Sequence, residues 1–181
     1  MRLFTAIDIP DQVRDRLQRY LTKMKPLARI HWSPVENLHI TTKFIGEWPE
    51  ARLAEISSAL AQVAVPRGLQ IAIRGTGWFP NEHRPRVLWA GVEAISDDGP
   101  AVLRELARRT DETVAALGVP VEDRPYSPHL TLARVREHSS LDALKAALAR
   151  EPAEFGVFDV AGFSLYLSAA GKYTRLERFP S

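Results

Sequence analysis

The sequence predicts an α+β fold with antiparallel sheets, arranged as two similar lobes. Three observations lead there. Strand and helix patterns mix along the 181 residues without a strict strand–helix alternation. Several strand patterns follow one another across short turn-forming segments, as in hairpins. The segment His39-Ile40-Thr41 returns half a chain later as His129-Leu130-Thr131, each time within a strand pattern.

The elements follow in order. Leu3 to Ile9 alternates loosely and reads as a strand stopped by Pro10. Val13, Leu17, Leu21 and Met24 recur at helical spacing, so residues 11–25 form an amphipathic helix that Pro26 ends. Ile30 to Trp32 and Leu38 to Ile45 are strand-like. Pro49 stands where a helix begins, and Leu53, Ile56, Leu60 and Val63 keep its period. Pro66-Arg67-Gly68 breaks the chain. Leu69 to Phe79 and Arg86 to Val92 are strands joined by a polar turn over residues 80–85. Ser96-Asp97-Asp98 offers an N-cap to a long helix marked by Leu103, Leu106, Val114 and Leu117 and ended by Gly118. His129 to Val135 is a strand, and Ser140 to Leu148 a helix. Phe155 to Leu167 and Tyr173 to Phe179 close the chain as two strands around Ala169-Ala170-Gly171. No long linker divides the chain, which forms one domain with approximate halves 1–95 and 96–181.

Composition narrows the function. With 45% hydrophobic and 25% charged residues the chain is globular rather than disordered. It has no Cys, which excludes a disulfide framework, a thiolate metal site and a Cys nucleophile. The opening residues 1–8 are too short an apolar run for a signal peptide, and no stretch reaches the roughly 18 apolar residues of a membrane span. A soluble cytoplasmic protein is expected. The net charge is only +2, but residues 1–90 carry +5 and residues 91–181 carry −3. Arg outnumbers Lys 19 to 5. Arg suits bidentate phosphate contact, while so small a net charge argues against non-specific coating of a duplex. A small phosphate-bearing ligand fits both facts. Gly75-Thr76-Gly77 lies late in a strand and leads to no helix, so it is no dinucleotide loop. The phosphate cradle of nucleoside-triphosphate enzymes, the Ser nucleophile elbow and the His-Glu-x-x-His zinc helix are all missing.

The two His-x-Thr segments carry the chemistry. His39 and His129 lie 90 residues apart, and the same offset aligns Ile40 with Leu130, Thr41 with Thr131, and Glu47 with Glu137. In a strand, residues two apart share a face. His39 projects with Thr41, and His129 with Thr131, while Ile40 and Leu130 point to the core. If the lobes face each other, two imidazoles and two hydroxyls line one cleft. Imidazole titrates near neutrality, so one ring can act as base while the other acts as acid on opposite sides of a phosphorus. The hydroxyls can donate to phosphate oxygens. A two-His metal site is the competing reading. It needs a third ligand that neither motif supplies.

At these residues the chain resembles the two-histidine phosphoesterases, and among them the RNA 2′,3′-cyclic phosphodiesterases, also called 2′-5′ RNA ligases. The resemblance covers nearly the whole chain. It is carried by Arg2 to Pro10, by Trp32 to Glu47, by Arg86 to Val92, by Tyr126 to Arg134, and by Leu165 to Leu176 with Ser168, Gly171 and Tyr173. One departure is Thr42, where the family has an apolar residue; it should point away from Thr41.

The resemblance implies two lobes, each an antiparallel sheet with helices outside, and an active-site cleft between them. It implies hydrolysis of a terminal 2′,3′-cyclic phosphate on RNA to a 2′-phosphate, with no cofactor and no metal. Carried over, His129 is the base that activates water, His39 is the acid, and Thr41 and Thr131 hold the phosphate. The order of the two His comes from the family alone. Lys43 shares the face of His39 by alternation, where it would add positive charge. Arg134 resembles a family phosphate contact, but strict alternation puts it opposite His129, so it needs a bulge or the strand end. Tyr126 would stack on a base or ribose, or pack in the core. Phe44 alternates with Ile40 toward the core, although the family suggests a ring there that meets the base. His31, His83 and His138 are expected at exposed edges. Partners would be RNA ends or small cyclic nucleotides, with no membrane, and a monomer is expected. Ligation, the reverse reaction, would use the same residues, and an RNA-end binding module without turnover is the remaining reading.

Overall fold

Period-2 alternation in the strands and 3.6-residue periodicity in the helices converge on one shared core of 39 buried residues. The computed structural model describes every residue from Met1 to Ser181. The strands are β1 (Arg2–Ile7), β2 (His31–Trp32), β3 (Ile40–Glu47), β4 (Gln70–Phe79), β5 (Val87–Ala94), β6 (His129–Arg134), β7 (Glu154–Asp159), β8 (Phe163–Ala169) and β9 (Lys172–Phe179). The α-helices are α1 (Asp11–Met24), α2 (Leu53–Leu60), α3 (Gly99–Ala115) and α4 (Asp142–Arg150). Two sheets form, in the orders β3-β1-β8-β9 and β2-β6-β5-β4-β7. Every strand pair is antiparallel. The α+β class with antiparallel sheets is therefore what the chain adopts.

The helices cover the apolar faces. α1 packs on β7 and α4, while α3 packs on β3 and β5 with α2 against it. Leu3, Ile7 and Ile40 of one sheet and Leu88, Ala90 and Leu130 of the other point into this core. The opposite faces carry the two His-x-Thr motifs. Ile40 and Leu130 are wholly buried, as alternation requires. Leu130→Ala is expected to cost about 2–5 kcal/mol, measured by urea denaturation; a cost under about 1 kcal/mol would place the side chain outside the core.

Three expectations are corrected. Phe155 to Leu167 is not one strand. It breaks at Val160-Ala161-Gly162 into β7 and β8, which belong to different sheets. A Cβ on Gly162 would lie 2.1 Å from the Phe179 carbonyl oxygen, so the chain crosses between the sheets where no side chain fits. Continuous hydrophobicity hides such a crossing, since both segments are apolar. Second, Pro49 opens a short 3-10 turn over Glu50–Arg52 rather than the α-helix, and Asp98 precedes α3 without a side-chain capping bond. Third, the sheets do not follow the halves of the chain. β8 and β9 complete the sheet of β1 and β3, while β2, β4 and β5 join β6 and β7. Each lobe is built from both halves, although each still holds one motif.

Candidate active site

His39 lies at the entry to β3 and His129 opens β6. The two strands approach each other where the sheets meet. Both imidazoles are half-buried, as are Thr41 and Thr131. The same local device sets both rings. His39 Nδ1–H donates to the Asn37 carbonyl at 2.6 Å, and His129 Nδ1–H donates to the Ser127 carbonyl at 2.8 Å. A proton fixed on Nδ1 leaves Nε2 as the atom that exchanges protons. At His39 the Thr41 hydroxyl lies 2.9 Å from Nε2, donating to the neutral ring and accepting from the charged one. Asn37 is itself held by its side-chain amide, which donates to the Gly171 carbonyl in the β8–β9 turn at 2.9 Å.

Aromatic rings wall both imidazoles. Phe4 sits 4.8 Å from His39 and Phe79 sits 5.0 Å from His129, centroid to centroid. Tyr166 stacks on Phe4 at 5.3 Å, and Tyr173 meets His39 edge-on at 5.2 Å. Opposite Thr131 stands Trp89, whose ring lies where a Cβ of Gly77 would be. Burial among these rings lowers the pKa of His39, because a charged imidazole loses hydration there. The Asn37 carbonyl and the Asp8 carboxylate act in the opposite direction, and His129 adds to the lowering. The two imidazoles are thus within electrostatic reach of each other.

The strands depart from alternation at the same place in both motifs. In β3, Thr5 pairs with Lys43 and Ala6 with Thr41, which leaves Thr42 as an extra residue. In β6, Leu88 pairs with Ala133 and Trp89 with Thr131, which leaves Leu132 extra. Each bulge turns two successive side chains to the core and re-aims the rest of the strand. Thr42 and Lys43 are both buried, as are Leu132 and Ala133.

The bulge settles the flanking residues. Lys43 does not share the face of His39, contrary to expectation. It points to the core side, where Nζ pairs with Asp111 of α3 at 2.6 Å and donates to the Pro120 carbonyl at 2.8 Å. Arg134, by contrast, returns to the face of Thr131 and is exposed beside His31 of β2. Phe44 returns likewise to the face of Thr41. It is 63% exposed rather than core, opposite Phe4. Thr42 keeps its hydroxyl satisfied in the core, 2.7 Å from that of Thr5. Tyr126 does not present its hydroxyl to the cleft. It donates to the Thr41 carbonyl at 2.9 Å, and burial raises its pKa. His31, His83 and His138 are exposed.

The pattern of the LigT-like phosphoesterases matches residues 7–89 and 94–173. The chain belongs to that family. It is 34% identical to the RNA 2′,3′-cyclic phosphodiesterase of Methanocaldococcus jannaschii, over 93% of this chain and 91% of the relative. It is 37% identical to the protein of the same name from Thermus thermophilus, over 99% and 89%. Among solved structures it is similar to E. coli LigT complexed with 3′-AMP, with a TM-score of 0.76 and 28% identity over 98% of this chain and 96% of that one. The matched residues of the family span both motifs and both sheets.

Sequence reasoning missed Asp8, Phe4, Phe79, Trp89 and Tyr166 around the two imidazoles. Phe4 and Asp8 left a signal, since Phe4, Ala6 and Asp8 alternate onto one face of the first strand. The others come close only through sheet pairing.

Proposed function

We propose that this protein is a phosphodiesterase that opens the 2′,3′-cyclic phosphate at an RNA end to a 2′-phosphate, by acid–base catalysis between two histidines. His129 Nε2 takes a proton from water as the water oxygen bonds to phosphorus. The bond from phosphorus to the 3′ oxygen breaks, and His39 Nε2 gives that oxygen its proton. Thr41 and Thr131 donate to the non-bridging oxygens, and Arg134 adds positive charge from the same face. Phe44 offers an exposed ring to the terminal base. The relatives named RNA 2′,3′-cyclic phosphodiesterase support the substrate class. The observation that carries the mechanism is the repeated anchoring of Nδ1 to a backbone carbonyl, which leaves an Nε2 in each motif to move protons.

No three His, Asp or Glu side chains come together as a ligand set. Turnover of a 2′,3′-cyclic phosphate dinucleotide is expected to be unchanged in excess chelator. Loss of activity that added divalent metal restores would overturn the metal-free mechanism. The pH dependence of kcat/KM should be bell-shaped. It falls in acid as the base is lost, and in alkali as His39 loses its proton. Because burial lowers His39, the alkaline limb of the free enzyme lies below that of an exposed imidazole acid. No helix is long and apolar enough to cross a membrane.

A further inference from the structure

We propose that Asp8 is a positioning residue for His39, holding the imidazole in its proton-carrying form from the neighbouring strand. The inference deepens the two-histidine reading above and rests on it. Phe4 and Ala6 of β1 lie on the face that carries the first motif, and Asp8 continues their alternation just beyond the strand. Ala6 pairs with Thr41 and Ile7 with Ile40, the last pair of the ladder, and continuing that register by one step beyond the strands brings Asp8 toward His39. Directly opposed side chains on antiparallel strands have Cβ atoms about 4.5–5.5 Å apart.

The Asp8 carboxylate is built in. Ser164 Oγ donates to one oxygen at 2.7 Å, the Tyr166 hydroxyl donates to the other, and Arg175 lies 3.4 Å away. Two neutral donors and one loosely placed cation fix a carboxylate without cancelling its charge. The same Tyr166 ring stacks on Phe4, and Phe4 packs on His39. One residue therefore supplies both a negative charge and the anchor for the wall behind the ring.

The need for it follows from the site. Burial opposes a proton on His39, and any charge on His129 opposes it further. The groups that face His39 are Thr41 on its own strand, Asp8 at the end of β1, Tyr166 on β8, Tyr173 on β9 and His129 on the other sheet, with Arg175 of β9 held against Asp8. Lys43 is turned away. Asp8 is the only acid among them. In the mechanism above, His39 must arrive protonated; the Asn37 carbonyl and the Asp8 carboxylate both favour that form, and Asp8 is the one that brings a full negative charge.

The test is an NMR titration of the imidazole carbons in the free protein, with His39 assigned by its absence in His39→Ala. In Asp8→Asn the His39 midpoint should fall by about half a unit or more, and the His129 midpoint should move less. In Arg175→Gln, which removes an exposed cation from Asp8, the His39 midpoint should rise. Opposite signs from two neighbours are not produced by general loosening of the fold, and the Arg175 variant keeps the test available if Asp8→Asn does not fold. kcat should fall several-fold in Asp8→Asn with little change in KM, and Asp8→Glu should restore most of it. An unmoved His39 midpoint in both variants, or shifts of the same sign, would overturn the proposal. The titration uses no substrate, so it stands apart from the two-histidine reading, which fails instead if the unmodified protein leaves cyclic phosphates intact.

Discussion

Replacing His129 by alanine should lower kcat on a 2′,3′-cyclic phosphate by a factor on the order of 10² or more. The imidazole is held by a bond from Nδ1 to the Ser127 carbonyl, and Phe79 meets its ring edge-on. Its removal takes the proton acceptor and little else. Thr131 and Arg134 stay on the same face, so KM should change far less than kcat. His39→Ala should show a loss of similar size, from the other side of phosphorus. The double variant should be little worse than either single one, because two groups that act in one transition state fail together. Melting temperatures should stay near that of the unmodified protein, since both rings are half-buried rather than core. Steady-state kinetics on a dinucleotide substrate would show this, and full turnover by His129→Ala would sink the assignment of the site.

The largest effect on stability is expected at Lys43. Its side chain is 4% exposed and that of its partner Asp111 is 15% exposed, with 2.6 Å between the charged atoms. Asp111 also accepts from the Glu122 backbone N–H, and Lys43 donates to the Pro120 carbonyl, so the pair fastens the segment between α3 and the second motif to β3. Lys43→Met fills the space but leaves a buried carboxylate without its cation. That should cost about 3–5 kcal/mol. Replacing both charges together, as Lys43→Met with Asp111→Leu, should recover much of the loss, because a well-packed apolar pair avoids the desolvation of two ions. Urea denaturation of the three variants measures this. If Lys43 instead reached the substrate, Lys43→Met would raise KM and leave the denaturation midpoint in place.

Lys43 also shows where the sequence stopped being legible. Identical His-x-Thr triplets, 90 residues apart, were enough to locate both motifs and to put Ile40 and Leu130 in the core. Alternation then failed one residue beyond each Thr. The bulges at Thr42 and Leu132 exist only relative to the partner strands, as mismatches against β1 and β5, and a single strand read alone carries no trace of them. Strict alternation therefore puts Lys43 in the cleft and Phe44 in the core, and Arg134 reaches the face of Thr131 only through the bulge of β6. The division of Phe155 to Leu167 between two sheets escaped for a similar reason, since an apolar run looks alike on either sheet. The helices were easier, because their periodicity is local. Asp8 belongs between these cases: its alternation with Phe4 was visible, but its place opposite His39 depends on pairing with β3.

The central claim is that two histidines act on opposite sides of one phosphorus, with the 3′ oxygen leaving. The most direct measurement is product identity. An oligonucleotide ending in a 2′,3′-cyclic phosphate is incubated with the protein, and the product is resolved by phosphorus NMR against 2′- and 3′-phosphate standards. The account predicts a 2′-phosphate with a free 3′-hydroxyl. A 3′-phosphate would contradict the placement of His39 beside the 3′ oxygen, and an unchanged cyclic phosphate would contradict the reaction itself.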